Sequence, residues 1–169
     1  EICRKIQNNN PDIVKLFSRE SLNKLKVNGR ITGRINFIEN VKEANGQYLC
    51  FLDGDDYWND PRKLEIQYNE ALKWKADAVF SRFYMDKDGF LEESLNFFSE
   101  ESDAFSINAK TLPINRTNFS HLSTFFIKSN LINEIIQHPY FLQTWGADTF
   151  IVPFCITKGN CIFINKPLT

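Results

Sequence analysis

Asp53-Gly54-Asp55-Asp56 places three carboxylates within four residues. Like charges this close repel, and each loses hydration wherever water is excluded, so the arrangement asks for a cation or for donors that offset it. A hard divalent ion, Mg²⁺ or Mn²⁺, meets that need through oxygen ligands. Gly54 lets the backbone come close to whatever is held. The bland alternative is a solvated, acid-rich turn that caps the next helix. An EF-hand loop opening at Asp53 fails, because it needs Gly where Trp58 stands and Glu where Leu64 stands.

The acids follow Tyr48-Leu49-Cys50-Phe51-Leu52, a continuous apolar run that reads as a central strand buried on both faces. They therefore emerge at the carboxyl end of a strand, the edge where open α/β sheets bind ligands. Upstream, Phe37, Ile38, Val41 and Ala44 recur at helical spacing from Gly33 to the Asn45-Gly46 stop. Downstream, Asp60 is a good N-cap and Pro61 suits the first helical position. Leu64, Tyr68, Ala71 and Leu72 mark the face that helix is expected to bury. Further strands are predicted at Ile13–Phe17, Ala76–Met85, His121–Ile127 and Cys161–Ile164, with helices at Ile2–Gln7, Leu131–Ile136 and from Asp148 to Gly159. Asn28-Gly29 and Asp86-Lys87-Asp88-Gly89 read as turns, and residues 90–119 as a long excursion without a sustained period. The alternation of strand and helix predicts an α/β fold with a mainly parallel sheet flanked by helices.

Composition narrows the function. A chain of 169 residues can bury its own core, and 20 basic against 21 acidic residues leave no excess with which to neutralise nucleic-acid phosphates. The early basic residues, among them Lys15, Arg19, Arg30 and Arg34, are interrupted by Asp12 and Glu20 and read as a solvated surface. The four cysteines lack paired spacing. Cys50 and Cys155 lie inside apolar runs as small core residues, so a reduced, cytoplasmic setting is expected. No apolar stretch reaches the roughly 20 residues of a membrane-spanning helix.

The flanks of the acidic cluster carry a resemblance. Residues 45–58, Asn-Gly-Gln-Tyr-Leu-Cys-Phe-Leu-Asp-Gly-Asp-Asp-Tyr-Trp, continue into Asp60-Pro61-Arg62-Lys63-Leu64-Glu65 and Gln67. That run closely resembles the segment bearing the DxD signature in the family 2 glycosyltransferases of GT-A fold. Gly33-Arg34-Ile35-Asn36-Phe37 is similar to the family's GxxNF segment, and residues 121–128 to its HxSTxxFR strand. Trp145-Gly146-Ala147-Asp148 is similar to its acidic GD position, and residues 158–164 to its KGxIxYI strand.

The resemblance implies a bacterial, metal-dependent, inverting transferase of cell-surface polysaccharide synthesis. Asp53, Asp55 and Asp56 would hold Mg²⁺ or Mn²⁺ and the sugar-nucleotide, with Asp55 and Asp56 nearest the metal and ribose. Asp148 would be the general base for an acceptor hydroxyl, and as an alternative it reads as the N-cap of its helix. Arg34 could pair with phosphate bidentately, or be a solvated arginine at a helix start. Trp145 could stack on a sugar or simply pack. Trp58 reads as packing, and His121 as a core or edge histidine whose other option is a hydrogen bond to acceptor or diphosphate. The implied partners are a nucleotide-diphosphate sugar, a UDP-sugar first, and a glycan or lipid-linked acceptor. Peripheral membrane association at the inner face and a homo-oligomer are left open.

Members of that family begin with a strand, helix and strand that grip the nucleotide base, and nothing here matches that unit. With Glu1 first and Met85 the sole methionine, the expectation is one GT-A-like domain over 1–169, an incomplete Rossmann-like unit of low or no activity by itself. Two other functions compete: a non-catalytic binding or assembly remnant of the same fold, and a phosphohydrolase with Asp53 as nucleophile. The latter fits poorly, since Asp56-Tyr57-Trp58 stands where the dehalogenase-type motif continues into Gly-Thr or Thr/Val.

Overall fold

The computed structural model describes residues 1–18, 25–94, 98, 102–112 and 119–169. In chain order its elements are α1 (Ile2–Asn9), β1 (Lys26–Val27), β2 (Arg30–Ile31), α2 (Arg34–Glu43), β3 (Tyr48–Cys50), α3 (Lys63–Trp74), β4 (Ala78–Arg82), β5 (Tyr84–Lys87), β6 (Phe90–Glu93), β7 (Ala104–Ile107), β8 (Phe126–Lys128), α4 (Ser129–Gln137), α5 (Asp148–Lys158) and β9 (Cys161–Pro167). A 3-10 turn, Leu122–Thr124, leads into β8.

Five strands form the main sheet in the order β3-β8-β4-β9-β7. The α/β class holds, but the sheet is mixed rather than mainly parallel: β4 and β9 pair in parallel, while β8 is antiparallel to both β3 and β4, and β7 to β9. β3, β4 and β9 therefore run one way, as strands joined through a helix do. β8 and β7 are inserted against them, and strand–helix alternation along the chain carries no information about such insertions. β3 is not central as expected. Among the described residues it is the sheet's edge, with Leu49 buried and Tyr48 and Cys50 half-buried.

Period-two alternation splits the core between the two faces. Phe80, Ile127, Cys161 and Phe163 point to the face covered by α2, α4 and α5, where they meet Val41, Ile132, Ile135 and Ile151. Val79, Phe126, Ile162 and Ile164 point to the other face, where Ala71 of α3 and Ala76 just beyond it pack. The larger face is strongly aromatic. Phe98, Phe105, Phe119 and Phe163 lie within 4.8–5.6 Å of one another in linked ring pairs, and edge contacts of this kind add to the area they bury.

α3 forms where expected, but of the face expected inward only Ala71 is buried. Asp60 accepts the Arg62 N–H at 2.9 Å, yet the buried positions are Lys63, Gln67 and Ala71, while Leu64, Tyr68 and Leu72 are 42%, 43% and 53% exposed. The predicted strand at Ile13–Phe17 is absent. The Asn10 carbonyl accepts the N–H groups of Ile13 and Val14 in a turn, and Ile13 is exposed. Asn28-Gly29 and Asp88-Gly89 do turn hairpins, each residue with positive φ. Part of the predicted excursion, residues 95–97, 99–101 and 113–118, lies outside the described residues. Within the remainder, β6 pairs with β5 and β7 joins the main sheet. No helix among the described residues is long and apolar enough to cross a membrane.

Candidate metal centre and active site

β3 delivers the acids to the sheet rim, and the turn before β8 meets them there. The Asp53 N–H donates to Ser123 Oγ at 3.0 Å, and Ser123 Oγ donates to Asp56 Oδ2 at 2.5 Å. His121 Nδ1 lies 3.2 Å from the same Asp56 oxygen. The Asp56 N–H closes a turn on the Asp53 carbonyl at 3.1 Å. The loop is thereby folded so that Asp53, Asp56 and His121 each present a ligand atom within 4.8 Å of the other two.

Two carboxylate oxygens and one imidazole nitrogen gathered this closely are a donor set that a single hard divalent ion could draw together. The nitrogen suits Mn²⁺ at least as well as Mg²⁺. The donor set thus fits the expected divalent cation. Its membership differs from the sequence expectation: Asp55 is exposed and not part of this cluster, although it lines the adjoining cavity, while His121 belongs to it. That cavity, about 370 Å³, is walled by Asp55, Asp56, Tyr57, Tyr84, Asp86 and His121. A second, of about 450 Å³, reaches Asp53 from the side of Asn36, Phe37 and Asn40. Burial raises the Asp53 carboxyl above its ordinary range. The charges of Asp56, Asp55 and Asp148 push it the same way, against the opposing influence of His121.

Asp148 is the first residue of α5 and half-buried. It does not cap the helix in the usual manner: among the described residues its Oδ1 accepts the adjacent Thr149 N–H, at 2.9 Å, rather than an N–H two or three residues on. Its charge is felt at Asp53 and at Arg34, which puts it on the same side of the molecule as the acidic loop.

The Arg34 side chain is turned into the protein rather than solvated. It is 3% exposed, and its guanidinium donates to the carbonyls of Phe141 at 2.9 Å, Thr144 at 2.9 Å and Trp145 at 3.3 Å. The same group lies 4.1 Å from the Phe141 ring centroid. A fork of fixed donors satisfies three loop carbonyls at once, so the residue fastens the loop that leads to Asp148. Trp145 is half exposed under the Arg30 guanidinium, 5.2 Å from its ring. Trp58 packs as expected, with Lys63 Nζ 5.2 Å from its ring and its Nε1–H donated to the Ser123 carbonyl at 3.3 Å.

Beneath the loop lies a polar layer that sequence reasoning missed. Lys63 and Gln67 are both fully buried. Lys63 Nζ donates to Gln67 Oε1 at 2.5 Å, and Gln67 Nε2 donates to the Thr124 carbonyl at 2.7 Å. Burial drops the Lys63 ammonium to about 8, with nearby Cys50 partly opposing. The signal was present in residues already quoted: Lys63 and Gln67 stand four apart on one helix face, beside Ala71 a further turn along, and Ser123 stands two residues after His121.

The model of glycosyl transferase family 2 matches residues 1–135. The chain belongs to that family. A search of curated proteins gave no match. In this family 2 chain the matched span takes in the acidic loop, α3 and the His121–Ser123 turn, while Asp148 and β9 follow it.

Proposed function

We propose that this family 2 chain catalyses metal-dependent, inverting transfer of a sugar from a nucleotide-diphosphate donor, a UDP-sugar first, to a growing glycan or lipid-linked acceptor of a cell-surface polysaccharide. The observation that carries this reading is the convergence of Asp53, Asp56 and His121 to within 4.8 Å, in a family 2 chain.

Asp53, Asp56 and His121 would hold Mn²⁺ or Mg²⁺, with Asp55 on the cavity rim positioned for the sugar-nucleotide. Bound there, the ion supplies Lewis-acid neutralisation of the diphosphate charge. Asp148 takes the proton from an acceptor hydroxyl as that oxygen bonds to the anomeric carbon. The bond from that carbon to the diphosphate oxygen breaks with its electron pair on the diphosphate. A single displacement inverts the anomeric centre. Arg34 keeps Asp148 in place by tying the 141–145 loop to α2.

The test is a UDP-release assay on the complete gene product, run over a panel of UDP-sugars with and without Mn²⁺. Release that needs Mn²⁺ and falls at least about 100-fold in Asp148→Asn is expected, the range general-base loss produces. Release unaffected by chelation and by Asp148→Asn would remove the reading. Phosphate release from a generic phosphomonoester, lost in Asp53→Asn, would replace it with the hydrolase.

A further inference from the structure

We propose that Ser123 is a positioning residue: its hydroxyl and carbonyl pin the acidic loop in the fold that makes Asp53, Asp56 and His121 one cation site, and so set the affinity of that site. This inference rests on the metal reading above.

Ser123 is wholly buried. Its hydroxyl accepts the Asp53 N–H at 3.0 Å. A serine hydroxyl has one proton to give, and the Asp56 carboxylate 2.5 Å away takes it. The Ser123 carbonyl accepts Trp58 Nε1–H at 3.3 Å and the Thr169 hydroxyl at 3.2 Å. One buried residue therefore grips the loop at three places: the backbone of its first acid, the side chain of its last, and the indole two residues on.

That grip opposes a real force. Asp53, Asp55 and Asp56 repel one another, and a free loop would relax by spreading them into solvent. The anchor itself is stiff. The 3-10 turn is held from beneath by Gln67 Nε2 on the Thr124 carbonyl at 2.7 Å and by the Thr124 hydroxyl on the His121 carbonyl at 2.7 Å. The Ser120 and Thr124 hydroxyl oxygens also lie in contact. Because His121 and Ser123 belong to one short segment and both reach Asp56 Oδ2, the segment that places the nitrogen ligand also sets the carboxylate. Groups that orient ligands in this way typically change metal affinity by about 10–100-fold when removed.

The test measures Mn²⁺ affinity directly, by loss of the free-ion electron paramagnetic resonance signal on the complete gene product without donor or acceptor. Ser123→Ala is expected to weaken binding about tenfold or more, and Ser123→Thr, which keeps a hydroxyl, to restore most of it. Ser123→Cys, close in volume but a weak donor, reads the same loss if the alanine variant does not fold. Ser94→Ala is the control for general loosening. That hydroxyl is also buried and accepts the Phe83 N–H at 3.1 Å, apart from the acidic loop and from the turn that holds it. Wild-type affinity in Ser123→Ala or Ser123→Cys, or an equal loss in Ser94→Ala, overturns the role of Ser123 while leaving the metal site standing. Wild-type binding that Asp56→Ala does not alter overturns the metal reading itself.

Discussion

Lys63 makes the stability of this fold depend on alkaline pH in a way that can be worked out in advance. Its ammonium is fully buried beneath the acidic loop, and burial lowers it from an ordinary 10.5 to about 8. Keeping it charged in the folded state at pH 7 opposes folding by about 3 kcal/mol, at about 1.4 kcal/mol for each tenfold change. Between pH 8 and 10.5 the unfolded chain holds this proton and the folded chain does not, so the lysine's own contribution to stability rises with pH there, by up to about 1.4 kcal/mol per pH unit.

Buried thiols act with the opposite sign. Burial raises Cys50 from 9.0 to about 11, against the influence of Lys63, raises Cys161 to about 12, and raises Cys155 well above its ordinary value. Above pH 9 the unfolded chain loses these protons while the folded chain keeps them, so each thiol withdraws about 1.4 kcal/mol per pH unit. Three thiols then outweigh one ammonium. The ammonium's gain of about 1 kcal/mol from pH 8 to 9 is cancelled by a similar combined loss from the three thiols, so stability is expected to stay nearly level over that unit and to fall by about 2 kcal/mol from pH 9 to 10. Lys63→Met keeps the volume, removes the charge and leaves Gln67 Oε1 without its donor, a loss of about 1–3 kcal/mol that largely offsets the gain at pH 7. Its diagnostic effect is to expose the thiols alone, a fall of about 1 kcal/mol from pH 8 to 9 and about 3 kcal/mol from pH 9 to 10. Urea unfolding followed by tryptophan fluorescence, at pH 7, 8, 9 and 10 with the thiols kept reduced, gives the answer. A wild-type curve that falls from pH 8 to 9 as steeply as the Lys63→Met curve, or a Lys63→Met curve that stays level there, would refute the reasoning.

Arg34→Ala strands three loop carbonyls and is expected to destabilise by about 2–4 kcal/mol in urea unfolding; Arg34→Lys recovers little of it, since one ammonium cannot reproduce the fork. At Gly146 an added Cβ would sit 2.5 Å from Asp148 Oδ1 and 3.2 Å from Thr149 Oγ1. Gly146→Ala should therefore displace the carboxylate, lowering kcat on the order of tenfold, about 1.4 kcal/mol, with little change in Tm. Asp77 accepts Lys128 Nζ at 2.8 Å and the Asn160 N–H at 2.9 Å. Burial alone would raise its carboxyl, but these bonds outweigh it and hold it below its ordinary 3.8. Its contribution is present above pH 3.8 and lost as pH falls through the lowered value. Asp77→Ala should remove about 1–3 kcal/mol at pH 7 and flatten the acid limb of the stability curve.

The acidic loop, the helices on either side of it and the two glycine-bearing hairpin turns were legible because each rests on local chemistry: like charges, caps, periodicity and positive φ. The sheet order was not. The separation of β3 from β4 by an antiparallel β8 is a long-range pairing that no local pattern encodes. α3 misled for a different reason. Leu64, Tyr68, Ala71 and Leu72 form the apolar stripe, yet only Ala71 of it is buried, beside Lys63 and Gln67, because a lysine, a glutamine and a peptide carbonyl satisfy one another there. Arg34 reads in sequence as solvated or phosphate-pairing, and its burial on three loop carbonyls was not legible because a guanidinium that grips carbonyls has the same composition as one that grips phosphate. His121 and Ser123 were quoted within one stretch, but only tertiary structure brings that stretch to residues 53–56.

The most direct measurement of the central claim is the location of the ion itself. Crystals of the complete gene product grown with Mn²⁺ and UDP, with data collected at the manganese absorption edge, should show one anomalous peak bonded to Asp53, Asp56 and His121. A peak bonded to none of these three, or none at all while UDP is bound, would contradict the account.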